Sequence, residues 1–131
     1  MTILIGYVPT PAGEAALDLA LAEAVVRDTD VVIVNSPRHG STVDPHLVGE
    51  QDDEALLTRA RQAGVTAVVD HAEHTADLAD TFEDLVQQTG ADLIVIGLRK
   101  RSAVGKLIMG SDAQRILLQS SVPVLAAKAT R

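Results

Sequence analysis

Five short runs of apolar, largely β-branched residues recur along the chain, each separated from the next by a stretch with helical spacing. The runs are Thr2–Tyr7, Asp30–Asn35, Ala67–Asp70, Leu93–Gly97 and Val122–Ala126. They lack strict apolar–polar alternation, which predicts strands covered on both faces. Of the four intervening helices, the first takes Thr10 as N-cap and Pro11 at its first position, with Leu17, Leu21 and Ala24 on one face. A second, near Asp52–Ala63, aligns Leu56, Ala60 and Ala63, and a third, near Ala76–Thr89, aligns Leu78, Phe82 and Leu85 before Gly90 stops it. The fourth begins at Ser111, with Gln114 at the capping-box spacing. Strict alternation of strand and helix predicts an α/β fold: a five-stranded parallel sheet with helices on both faces and right-handed crossovers.

Sheets of this kind bind ligands at the carboxyl ends of their strands, where strand order reverses. The loops that belong there are Val8–Thr10, Ser36–Glu50, His71–Thr75 and Leu98–Gly110. The second is expected to be a surface loop rather than a lid.

Length and composition narrow the class. At 131 residues, 1–131 is expected to form a single domain that buries roughly 65–70% of its unfolded surface. Apolar residues make up 47% of the chain, almost all aliphatic, which describes a filled core and not a disordered segment. No run approaches the ~20 apolar residues of a membrane span, and Met1–Val8 reads as a strand and not as a secretory signal. The absence of Cys rules out disulfides and thiolate chemistry and is compatible with a cytoplasmic location, which is the expectation. A net charge of −7 opposes nucleic-acid binding, because duplex affinity comes mainly from Lys and Arg.

The charge is uneven. GLRKRSAVGKLIMGS, Gly97–Ser111, holds four of the eleven basic residues (Arg99, Lys100, Arg101 and Lys106), and Arg115 follows. A local positive patch on an acidic protein suits a small anion. Gly97 is expected to let the chain turn where a side chain would obstruct a ligand. At the other end, Gly110-Ser111 leads into a helix whose first amides lack intrahelical partners, an arrangement that attracts phosphate. The residues alone leave this open: glycine turns before capped helices are common, and basic loop residues are often simply solvated.

Other chemistries fit less well. The end of the first strand reads YVPT, without the carboxylates of a phospho-acceptor receiver. Gly105-Lys106 precedes Leu107 and not Ser or Thr, so no Walker loop is formed, and neither GxGxxG nor GxSxG occurs. His71 and His74, with Asp70, Glu73 and Asp77, have ligand chemistry but sit on one loop, and they are expected to be solvated, as are His39 and His46. No metal site is expected. Asp52, Asp53 and Glu54 read as helix-start residues that complement the dipole.

Taken together, ILIGYV, the Ala-rich first helix, DLIVIG, the glycine loop closed by GS, and the ending SSVPVLAAK resemble the universal stress protein family over nearly the whole chain. The family's nucleotide motif, G-x2-G-x9-G-[S/T], is matched by Gly97, Gly110 and Ser111, with Lys100 in place of the second glycine. The resemblance implies strand order 3-2-1-4-5 in a Rossmann-like sheet of the adenine nucleotide alpha hydrolase type. It also implies ATP, with Mg alongside it, as ligand. Gly97, Arg99, Lys100, Gly110 and Ser111 would meet the phosphates, while Val8, Thr10 and Asn35 would line base and ribose. Where ATP-binding members carry Asp-Gly-Ser after strand one, this chain has Val8, Pro9 and Thr10.

The resemblance further implies a homodimer. The last strand is expected at a sheet edge, open to pairing through Val122–Ala127 about a twofold axis. Three functions compete: a regulatory protein that binds ATP or a related adenine nucleotide; a non-nucleotide scaffold dimer whose basic loop meets a protein or another small anion; and an enzyme on an adenylate-like substrate, for which His71 or His74 would be needed. The first is expected, without catalysis beyond slow incidental ATP hydrolysis.

Overall fold

The computed structural model describes residues 1–34, 50–70, 78–100, 107–108 and 111–129. Strands β1 (Thr2–Gly6), β2 (Asp30–Val34), β3 (Ala67–Asp70) and β4 (Leu93–Lys100) alternate with helices α1 (Pro11–Arg27), α2 (Glu50–Gln62) and α3 (Leu78–Thr89). A two-residue strand β5 (Leu107–Ile108), helix α4 (Ser111–Gln119) and strand β6 (Val124–Lys128) complete the chain. The parallel sheet runs β3-β2-β1-β4-β6, which is the order 3-2-1-4-5 once the short β5 is set aside. β5 pairs antiparallel with the far end of β4, and the alternation pattern did not predict it.

Apolar residues sort onto the two faces by strand alternation. Ile3, Ile5, Val31, Ile33, Leu93 and Val95 point to the side covered by α1 and α2, where Ala16, Leu17, Ala20 and Ala24 of α1 and Leu56 and Ala60 of α2 meet them. Leu4, Val32, Val34, Ile94 and Ile96 point the other way, onto Phe82, Leu85 and Val86 of α3 and Ile116 of α4. The continuous apolar runs follow directly from this double coverage.

Local signals account for the helix ends. Thr10 is extended (φ −133, ψ 164) and its hydroxyl oxygen accepts from the Gly13 amide, with Pro11 at the first helical position. Gly90 takes φ +70 just past α3, a conformation L side chains resist. The last strand begins two residues later than expected and runs to Lys128. Residues 120–122 are held in a turn by the Ser120 hydroxyl, which donates to the Val122 carbonyl, and by the Val122 amide, which donates back to Ser120 Oγ.

Candidate functional site

Strand order reverses between β1 and β4: from β1 the chain steps to β2 on one side, while β4 lies on the other. A ligand crevice belongs at the carboxyl ends of these two strands. The residues that gather there follow from how the chain leaves β1. The Tyr7 amide makes a last bond across to the Val34 carbonyl, at 3.1 Å. Val8 and Pro9 are then exposed, and the Thr10 amide turns back to the Val8 carbonyl at 2.8 Å. Because the Thr10 oxygen accepts from Gly13 at 3.2 Å, its hydroxyl hydrogen is what Thr10 can offer a ligand. Val8 is 40% exposed and can offer a ligand only apolar contact from its side chain.

Helix α1 starts very close to the strand ends, and two glycines permit it. A Cβ at Gly13 would stand 1.7 Å from the Val8 carbonyl oxygen, and one at Gly97 would stand 2.1 Å from the Ala12 carbonyl oxygen. This corrects the sequence reading of Gly97. The residue does not turn the chain: β4 runs through it to Lys100, with Gly97 opposite Ala127 and Leu98 opposite Lys128 on β6. Its missing side chain makes room for the backbone of α1.

The rest of the basic segment begins as strand and not as loop. Arg99 lies opposite Ile108 and Lys100 opposite Leu107 in the antiparallel ladder, which carries β4 past the carboxyl edge of the parallel sheet. Ser111 opens α4, a nine-residue helix, as the sequence predicts. Asn35 and Gly110 lie outside the described residues, as do Arg101, Lys106, His39, His46, His71 and His74. Among the described residues no group of three or more His, Asp or Glu is arranged to hold a metal ion.

Lys128 adds a further cation at this edge, one that no sequence motif marks. It is exposed and ends β6 opposite Leu98, one residue before Arg99. Leu125 and Ala127 face the α1 side, while Val124 and Ala126 face the α4 side. By alternation Lys128 falls on the α4 face, at the end of the sheet from which α4 starts. Only strand register reveals this, since nothing local in LAAK marks the lysine.

On the α1 side, a polar chain braces the turn. The Tyr7 hydroxyl donates to Glu14 Oε1 at 2.5 Å, Arg59 Nη1 donates to Glu14 Oε2, and Arg59 Nη2 donates to Asp18 Oδ1 at 2.7 Å. Partial burial pushes the Glu14 carboxyl up, but the Tyr7 hydroxyl and the Arg59 guanidinium outweigh it and hold the group below the usual carboxylate value. Burial likewise works against the Arg59 charge, and Glu14 and Asp18 together raise its pKa.

Residues 1–128 match the sequence model of the universal stress protein family. The chain belongs to that family. A universal stress protein from Mycolicibacterium smegmatis is 32% identical over 126 residues, covering 96% of each chain. The solved universal stress protein from Archaeoglobus fulgidus superposes with a TM-score of 0.81 at 27% identity, over 98% of both chains. Another Archaeoglobus fulgidus universal stress protein structure, in complex with dAMP, has a TM-score of 0.76 at 23% identity, again over 98% of both. Two more distant structures of the same fold contain cAMP (TM-score 0.68, 17% identity, covering 99% of this chain and 98% of the other) and, in an Arabidopsis thaliana protein, AMP (0.67, 13%, covering 99% and 92%). Adenine nucleotides are thus bound by several universal stress proteins. No helix among the described residues of this one is long and apolar enough to cross a membrane.

Proposed function

We propose that this universal stress protein is a regulatory binder of an adenine nucleotide, seated at the carboxyl edge between β1 and β4. The observation that carries the reading is the switch point. An exposed turn at Val8–Thr10, the basic extension at Arg99–Lys100, Lys128 and the start of α4 at Ser111 share one end of the sheet. Phosphates suit the α4 start and the basic residues, since both a helix N-terminus and a guanidinium favour anions. The Gly110-Ser111 pair would close the phosphate side, and Asn35 would join Val8 and Thr10 beside base and ribose.

With Val8 and Pro9 where a carboxylate would reach the nucleotide, the base is held by apolar contact and by the Thr10 hydroxyl. This predicts weaker binding and looser selection among adenine nucleotides. ATP, with Mg, is the first ligand to test, ahead of AMP. The nucleotide acts as a ligand that alters partner choice and not as a substrate for turnover, in a cytoplasmic homodimer joined along β6.

Thermal-shift titration tests this with ATP and magnesium, AMP, and inorganic phosphate. Ligand at about 100 times its Kd adds about 2.7 kcal/mol, several degrees in a domain of this size. A saturable shift with a nucleotide, larger than with phosphate, is expected. A flat response at millimolar nucleotide would overturn the reading and assign the basic segment to an acidic protein partner.

A further inference from the structure

The connection between β1 and α1 is short, and among the described residues few backbone bonds anchor it. Among these residues, its backbone bonds beyond the Tyr7 amide on Val34 are internal, Thr10 to the Val8 carbonyl and Glu14 to the Thr10 carbonyl, with the Gly13 amide on Thr10 Oγ1. Among the described residues, a polar chain on its α1 side ties it to α2. Tyr7, immediately before the turn, is 6% exposed, with its ring in the core. Its hydroxyl reaches over the turn to Glu14, whose own amide donates to the Thr10 carbonyl at 2.8 Å. Glu14 therefore holds the turn from both ends, and Arg59, from α2 and 45 residues away in sequence, fixes the carboxylate with one nitrogen while gripping Asp18 with another.

The energetics separate positioning from bulk stability. Arg59, Glu14 and Asp18 are 34%, 43% and 72% exposed, so these ion pairs add little to global stability. A planar fork bonded to two carboxylates one helical turn apart nonetheless orders α1 and α2 relative to each other. The carboxylate so fixed is the one that spans Val8–Thr10.

We propose that Arg59 is a positioning residue for the Val8–Thr10 turn, acting through Glu14 and Tyr7. It sets the turn for the base end of the nucleotide and leaves the phosphate end untouched. The inference rests on the nucleotide-binding reading for its consequence but not for its geometry, and two experiments on the full chain keep these apart.

The first needs no ligand. Amide hydrogen exchange in Arg59→Gln and Tyr7→Phe is expected to speed up about tenfold at Gly13 and Glu14, whose acceptors are on Thr10, while Ala20 and Leu21 keep their wild-type rates. Because both substitutions act through Glu14, the double variant exchanges no faster there than the quicker single. Unchanged rates at Gly13 and Glu14, or an even acceleration along α1, would overturn the proposal. In the second, Arg59→Gln is expected to weaken AMP about fivefold with the inorganic phosphate affinity unchanged. Equal loss of both, or of neither, would overturn it. If wild type binds no AMP, the nucleotide reading fails, and the exchange experiment alone decides whether Arg59 sets the turn.

Discussion

At the scale of single residues, the start of α1 shows both what a local signal can carry and where it stops. Thr10 and Pro11 were legible because a cap and its amide are three residues apart, and the structure has that bond at 3.2 Å. The demand for glycine at position 97 was legible, but its cause was not, since the obstructing atom is the Ala12 carbonyl, 85 positions away in sequence. Replacing Gly97 with Ala must push α1 off β4, and a loss of about 1–3 kcal/mol in urea unfolding is expected; an unchanged midpoint would show that α1 shifts freely. Glu14 yields a pH prediction. Its folded pKa lies below the unfolded value, so its stabilisation is fully present above the unfolded value and fades as pH falls through the folded one. The difference in urea midpoint between wild type and Glu14→Gln is therefore expected at pH 7 and should vanish towards pH 3. A difference that persists across that range would show that the pairing with Tyr7 and Arg59 is not what shifts the carboxyl.

At the scale of elements, the parallel strands and the helices were readable from apolar runs and helical spacing, because double coverage leaves the strands no polar face. Boundaries depended on individual hydrogen bonds that patterning does not show. β6 starts at Val124 because the Ser120–Val122 turn occupies the expected start, and β5, with two residues, has no period to detect. The edge position of β6 supports the proposed homodimer: among the described residues it pairs with β4 alone, and Val124, Leu125 and Ala126 are only half-buried. A lysine on such an edge opposes pairing, so Ala126→Lys is expected to give monomers by light scattering while the wild type is dimeric. A dimer that survives this substitution with its fold intact would place the interface elsewhere.

At the scale of the whole molecule, a chain of net charge −7 gathers Arg99, Lys100 and Lys128 at one end of one sheet. Charge composition announced the first two and hid the third, which only the pairing of β6 with β4 brings to that end. Attraction between such a patch and a nucleotide is screened by salt, with a Debye length of about 10 Å at 0.1 M. Raising ionic strength from about 0.05 to about 0.5 M is therefore expected to weaken AMP several-fold, as read by titration calorimetry. A Kd indifferent to salt would mean that apolar contact at Val8 dominates and the phosphates are hardly held.

The close seat of α1 on the strand ends also bears on how sequence motifs are interpreted. At position 97 any side chain would collide with the neighbouring helix whether or not a ligand is ever present. A glycine there is thus a signature of architecture, shared in principle by binders and non-binders alike. Diagnosis of nucleotide binding in chains of this kind should instead weigh positions whose side chains the fold leaves exposed, such as 8.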